Sequence, residues 1–97
     1  GCNVIRRDLG DHNMSRVSRM LHQSIAYALD HREDALDYAQ QYGRDLPQEK
    51  TDQFVGMYVN ELTLDYGERG RAAVERLFQE AHEKKLIPNP VPIEFVE

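Results

Sequence analysis

The chain has 97 residues and a mass of 11.3 kDa, which allows one domain at most and little room for a buried catalytic cleft. Twelve Lys and Arg against seventeen Asp and Glu give a net charge of −5, which argues against a phosphate-binding surface for nucleic acid. No apolar stretch approaches the roughly 20 residues that span a bilayer. We therefore expect neither a nucleic-acid partner nor a membrane.

The single cysteine, Cys2, cannot form an internal disulfide. A fold without disulfides is typical of a reducing compartment, so we expect a cytoplasmic location. The first residue is Gly1 rather than Met, and from this we expect a chain cut from a longer protein.

In chain order, the β-branched run near the N-terminus predicts a short strand over residues 3–7. Such a strand needs a sheet, and the only other extended candidate is the tail at 91–96. Spacings of three and four between apolar residues then predict a helix over about 13–29 and a second over about 31–42.

The second half of the chain predicts two more helices. The third opens at Leu46 and Pro47, because proline suits a first helical turn, and its predicted buried stripe is Phe54, Val55, Tyr58 and Leu62. Residues 65–67 interrupt the helical pattern, and the fourth helix starts at about 68. Pro88, Pro90 and Pro92 then predict an extended tail. The expected fold is mainly α, with about four helices and one short N-terminal strand, in a single helical segment spanning residues 1–97.

The titratable side chains give no catalytic or metal-binding pattern. His12, His22, His31 and His82 lack the spacing that brings two ligands to one metal, so we predict no metal site. His22 is expected to be a half-buried packing residue. Arg6 and Arg7 are interpreted as partners of surface ion pairs, with a ligand contact as the alternative.

Polar residues are dense after the third predicted helix. Asn60 and Asp65 are interpreted as side chains that cap backbone groups at a turn between helices. The alternative is that Asn60 reaches a ligand.

Five strings, in this order and at these distances, resemble the C-terminal third of the 1,4-dihydroxy-6-naphthoate synthases of the futalosine route to menaquinone. They are residues 1–10 (GCNVIRRDLG), 24–31 (SIAYALDH), 57–60 (MYVN), 63–67 (TLDYG) and 70–74 (GRAAV). The resemblance extends over essentially the whole chain. No single string is a catalytic signature, and the specificity of the resemblance comes from the ordered set of strings.

The resemblance implies a two-lobed α/β fold like that of the type II periplasmic binding proteins, of which this chain would be the C-terminal part. It implies a lyase that converts cyclic dehypoxanthinyl futalosine to 1,4-dihydroxy-6-naphthoate without a metal or organic cofactor. The histidine base of that family lies outside the strings matched here, so no catalytic residue is assigned. Asn3, Tyr58 and Asn60 are the candidate substrate-binding residues.

The same resemblance implies that the small-molecule substrate would be held together with the missing lobe, and that the isolated chain would be inactive. Unpaired strand edges and exposed apolar faces would then favour self-association of the isolated segment. Two alternatives stay open. One is a segment of a chorismate dehydratase of the same pathway, and the other is a free-standing helical module that binds a protein partner.

Overall fold

A computed structural model describes residues 2–97 and contains five α-helices. A single 3-10 turn at Arg7–Leu9 leads into the first helix. The helices are α1 (Gly10–Asp30), α2 (Arg32–Gln40), α3 (Gln48–Tyr58), α4 (Glu61–Leu64) and α5 (Gly67–Glu83). The mainly helical fold class is therefore confirmed, and three of the four predicted helices match α1, α2 and α5 to within a few residues.

The predicted strand over residues 3–7 is wrong. Residues 2–6 form neither helix nor strand, residue 7 already belongs to the 3-10 turn, and no strand is assigned anywhere in the described residues 2–97. A β-strand exists only through pairing of its backbone with a neighbour. The other extended segment, at the C-terminus, forms no backbone hydrogen bond with residues 2–6.

The predicted third helix is two helices, because Asn60 interrupts it. The Asn60 side chain accepts a hydrogen bond from the Leu62 amide at 3.0 Å, and its Nδ2 donates to the Gly56 carbonyl at 3.1 Å. Thr63 Oγ1 accepts from the Asn60 amide at 3.2 Å, which completes a reciprocal cap at the start of α4. The capping interpretation is thus confirmed for Asn60. It is also confirmed for Asp65, whose Oδ1 accepts from the Gly67 amide at 2.9 Å.

Helices α2 and α3 pack against each other around the two buried side chains of the described chain, Leu36 and Thr51. The Arg32 guanidinium reaches across to Asp52, with Nε donating to Oδ1 at 2.9 Å and Nη2 lying 2.7 Å from the same oxygen. Gly56 faces the same arginine, because a Cβ built there would lie 3.2 Å from Arg32 Nη2. This face of α3, centred on residues 51, 52, 55 and 56, is the one that α2 covers.

Most of the predicted stripe on the third helix therefore points outward. Phe54, Tyr58 and Leu62 are exposed, and Val55 alone is half-buried. The helical spacing was identified correctly, but the aromatic face was assigned to the core, whereas small and polar residues form the contact with α2. The prediction for His22 is also wrong, because its side chain is exposed.

The molecule is open for its mass. Its accessible surface is 8461 Å², whereas a compact monomer of this mass exposes about 5,700 Å². Its radius of gyration is 16.4 Å, against about 12.5 Å for a compact chain of this length. Much apolar surface of the helices consequently faces solvent.

Candidate functional site

A concave surface of about 760 Å³ is here called the terminal groove. It lies between α1, the first part of α5, the N-terminal segment 2–7 and the C-terminal tail 91–97, with residues 63–66 at one end. The groove brings together the two ends of the chain, which lie more than 80 residues apart in sequence.

Helix α1 forms the apolar floor of the groove. Met14, Val17, Leu21 and Ile25 recur at spacings of three and four, which places them along one side of a helix. Val17 and Leu21 are both more than two-fifths exposed. This side of α1 therefore carries a continuous apolar stripe that the rest of the described chain covers only in part.

The C-terminal tail forms one wall and is held against α5 by Phe95. The Phe95 ring meets the Tyr66 ring edge-on with centroids 6.2 Å apart, and the Arg71 guanidinium carbon lies 5.0 Å from its centroid. Arg71 Nη2 also donates to Glu97 at 3.1 Å, so one side chain makes a cation–π contact and an ion pair with the tail. These contacts fix the end of the chain beside the groove.

The N-terminal segment also lines the groove and is tied to the same tail. Arg7 forms an ion pair with Glu94 and donates to the Pro92 carbonyl at 3.4 Å, while Ser18 Oγ donates to the Val96 carbonyl at 3.4 Å. Arg6 pairs with Asp8. Both arginines therefore make the surface ion pairs that were predicted.

Some of the polar groups along the groove are engaged within the chain, and others line it as exposed side chains. Arg71 is paired with Glu97, Asp65 caps the start of α5, and Thr63 Oγ1 donates to the Tyr58 carbonyl at 2.7 Å. His22 lines the groove as an exposed side chain. Asn3, Arg19 and Gln23 also line the groove as exposed side chains, so the groove combines the apolar stripe of α1 with exposed polar groups.

The structure separates the three candidate substrate-binding residues. Asn3 lines the terminal groove and is exposed. Tyr58 and Asn60 do not line it: Tyr58 is exposed at the end of α3, with its ring 5.0 Å from that of Phe54, and Asn60 caps α4. Contact with substrate stays a prediction for all three residues.

A second feature, which sequence reasoning missed, is a set of aromatic pairs on the outer sides of α2 and α3. Tyr38 and Tyr42 lie one helical turn apart with their rings 5.5 Å from each other, and their hydroxyls are 3.4 Å apart. The hydrogen bond with Tyr38, followed by burial, raises the pKa of the Tyr42 hydroxyl above its ordinary value of 10.0. The i, i+4 spacing of these tyrosines was the available signal.

Two further observations concern the described residues 2–97. Their histidine, cysteine and carboxylate side chains do not gather into any group of three that would suit a metal ion. None of their helices combines the length and apolar composition needed to cross a membrane.

Comparison with known proteins relates the chain to enzymes of quinone biosynthesis. A family model described as "Menaquinone biosynthesis" matches residues 1–83. A 1,4-dihydroxy-6-naphthoate synthase of Thermus thermophilus is 42% identical over 94 residues, which are 96% of this chain and 35% of that protein. A Streptomyces coelicolor protein of the same name is 33% identical over 88 residues, which are 91% of this chain and 31% of that protein.

The chain spans about a third of the length of these two curated relatives. No solved structure matches it at a significant level. The family match extends over most of the chain, from the N-terminal segment through α5. This chain belongs to the menaquinone biosynthesis family.

Proposed function

We propose that this chain is the C-terminal portion of an enzyme that converts cyclic dehypoxanthinyl futalosine to 1,4-dihydroxy-6-naphthoate. The observation that carries the proposal is the 42% identity to the Thermus thermophilus synthase over 96% of the chain. Both relatives carry the synthase name, which favours this activity over chorismate dehydration. The enzyme would be a cytoplasmic lyase with the two-lobed fold of the periplasmic binding proteins.

Two features of the structure favour an auxiliary role for this portion over catalysis by this portion alone. Within the described residues, His22, the histidine that lines the terminal groove, is exposed, and no hydrogen bond orients its ring as a general base requires. Within the described residues 2–97, the open shape also leaves the terminal groove accessible to water. The isolated chain would therefore not turn over substrate, and its exposed apolar surface would promote self-association.

The test compares the isolated chain with a joined protein. In the joined protein, the part of the Thermus thermophilus synthase outside the matched third is placed ahead of Gly1. Both are incubated with cyclic dehypoxanthinyl futalosine, and 1,4-dihydroxy-6-naphthoate is measured by chromatography. We expect product from the joined protein and none from the isolated chain.

Two results would contradict the proposal. Product formed by the isolated chain would show that these 97 residues are sufficient. A joined protein that folds and forms no product would remove the synthase assignment. The Thermus thermophilus synthase itself is the positive control in both assays.

A further inference from the structure

We propose that the outward side of α1 is an interface between two copies of this chain, whose α1 helices pack antiparallel around a two-fold axis. The inference goes beyond the proposed reaction and does not depend on it. It rests on six residues of α1, here called the outer stripe: His12, Arg16, Met20, Gln23, Tyr27 and Asp30.

The outer stripe follows one side of the helix. At 3.6 residues per turn its six positions fall within an arc of about 80°, over a length of about 27 Å. All six residues are exposed, and the exposed fractions of Met20 and Tyr27 are 65% and 64%. Gln23 also lines the terminal groove, so the stripe borders that groove. Arg16 forms no ion pair within residues 2–97, which leaves its charge available to a partner.

The order of the side chains along the outer stripe is self-complementary. Its N-terminal half carries hydrogen-bond donors in His12 and Arg16, whereas its C-terminal half carries the Tyr27 ring and the Asp30 carboxylate. An antiparallel pair with its two-fold axis between residues 21 and 22 brings Arg16 opposite Tyr27 of the second copy, and His12 opposite Asp30. A parallel pair would instead place Arg16 against Arg16. The order of the side chains therefore selects a second copy of this chain, in the antiparallel orientation.

Tyr27 is held in place before any partner arrives. The His31 ring stacks on the Tyr27 ring with centroids 3.9 Å apart and planes 13° from parallel, and His31 Nδ1 lies 2.9 Å from the Tyr27 carbonyl oxygen. The ring nevertheless stays exposed enough for a guanidinium to lie over it, as in a cation–π contact. A side chain that is already ordered loses less conformational freedom on association.

Charges beside the stripe favour the same orientation. Asp30 at the end of α1 is followed by Glu33 and Asp34 in the first turn of α2, and all three are exposed. The antiparallel pair places these acids near Arg16 and Arg19 of the second copy, and it sets the positive end of one helix dipole beside the negative end of the other. Nucleic acid and anionic lipid suit the stripe less well, because the acids lie on the same surface and the net charge is −5.

The experiment is crosslinking of single cysteines with a short bis-maleimide, in a Cys2→Ser background, in the isolated chain and in the joined protein. The register places residue 23 about 5 Å along the helix axis from residue 23 of the second copy, but residue 12 about 28 Å from its own counterpart. We expect Gln23→Cys to form covalent dimers and His12→Cys or Asp30→Cys alone to form few. An equal mixture of the His12→Cys and Asp30→Cys chains should crosslink, because the two positions face each other.

Sedimentation equilibrium of the same two proteins measures the strength of the contact. Arg16→Glu should raise the dissociation constant of the dimer at least about 10-fold, because the symmetry removes the contact with Tyr27 twice. Arg69→Glu is the matched control, with the same change of charge at an exposed position of α5, and should change that constant less than about 2-fold. Salt at about 1 M screens charges beyond about 3 Å and should weaken the dimer. Circular dichroism checks that each variant keeps its helix content.

Four results would overturn the proposal. The first is no crosslinking of Gln23→Cys in either protein, and the second is crosslinking of His12→Cys alone as readily as of Gln23→Cys. The third is equal weakening by Arg16→Glu and Arg69→Glu. The fourth is a folded joined protein that stays monomeric, which would show that the outer stripe is covered by the rest of that protein or left unpaired. None of these measurements requires product formation, so their outcome is separable from that of the activity assay.

Discussion

The α2–α3 pair and the terminal groove are built in opposite ways. In the pair, two helices that are close in sequence enclose Leu36 and Thr51 and are linked by the ion pair between Arg32 and Asp52. In the groove, segments from both ends of the chain meet, yet the apolar stripe of α1 stays largely exposed. Local contacts thus complete one region, while the described residues leave the apolar stripe of the other largely exposed.

The largest expected effect is on the stability of the α2–α3 pair. Leu36 is 7% exposed, so Leu36→Ala should lower the free energy of unfolding by about 2–3 kcal/mol through lost burial and a residual cavity. Urea unfolding followed by circular dichroism measures the change. Leu77→Ala, at an exposed position of α5, is the control and should change it by less than about 0.5 kcal/mol. Equal effects of the two substitutions would contradict a core centred on Leu36.

The next effect is on the cap that separates α3 from α4. Asn60→Ala removes the acceptor for the Leu62 amide and the donor to the Gly56 carbonyl, and should destabilise the chain by about 1 kcal/mol. Asn60→Asp keeps the acceptor and should recover most of that loss in the same unfolding measurement. If aspartate and alanine proved equally harmful, the side-chain cap would not be the reason for the break.

A smaller effect is expected where the tail is held beside the groove. Arg71→Ala removes both the cation–π contact with Phe95 and the ion pair with Glu97, which together should contribute about 0.5–1 kcal/mol. Arg71→Lys keeps a charge for Glu97 and should be intermediate. NMR contacts between the Phe95 and Tyr66 rings report whether the tail stays in place. Unchanged contacts in Arg71→Ala would show that other groups hold the tail.

The smallest effect concerns the pair formed by Tyr38 on α2 and Tyr42 in the turn that follows it. Because the hydrogen bond with Tyr38 raises the pKa of Tyr42, Tyr38→Phe should lower that pKa towards 10.0. The raised pKa also means that the hydrogen bond stabilises the fold below pH 10.0 and that this contribution is lost as the pH rises through the higher value. Ultraviolet titration of phenolate formation measures the shift. Tyr66→Phe is the control, and an equal shift there would contradict the pairing.

The same contrast explains what the sequence could predict. Helical periodicity was sufficient for α1, α2 and α5, and the position of Asn60 beside a run of polar residues was sufficient for its capping role. The strand over residues 3–7 was wrong because strand formation depends on a partner, and the described residues provide none.

The terminal groove itself was beyond prediction from local pattern. It depends on contacts between positions such as Arg7 and Glu94 or Ser18 and Val96, which are 87 and 78 residues apart. Likewise, the exposed face of α3 was assigned to the core because its aromatic residues outweighed the small residues that contact α2. Periodicity identifies the faces of a helix, but it does not tell which face meets a neighbour.

The most direct test of the contrast is to measure how much one substitution lowers the free energy of unfolding in the isolated chain and in the joined protein. Leu21 lines the groove and is 42% exposed in this chain, so Leu21→Ala should lower the free energy of unfolding of the isolated chain by less than about 1 kcal/mol. If residues outside this chain bury Leu21 in the joined protein, the same substitution should cost about 2–4 kcal/mol there. Equal costs in the two contexts would contradict the account, because the groove would then be as complete in the isolated chain as in the joined protein.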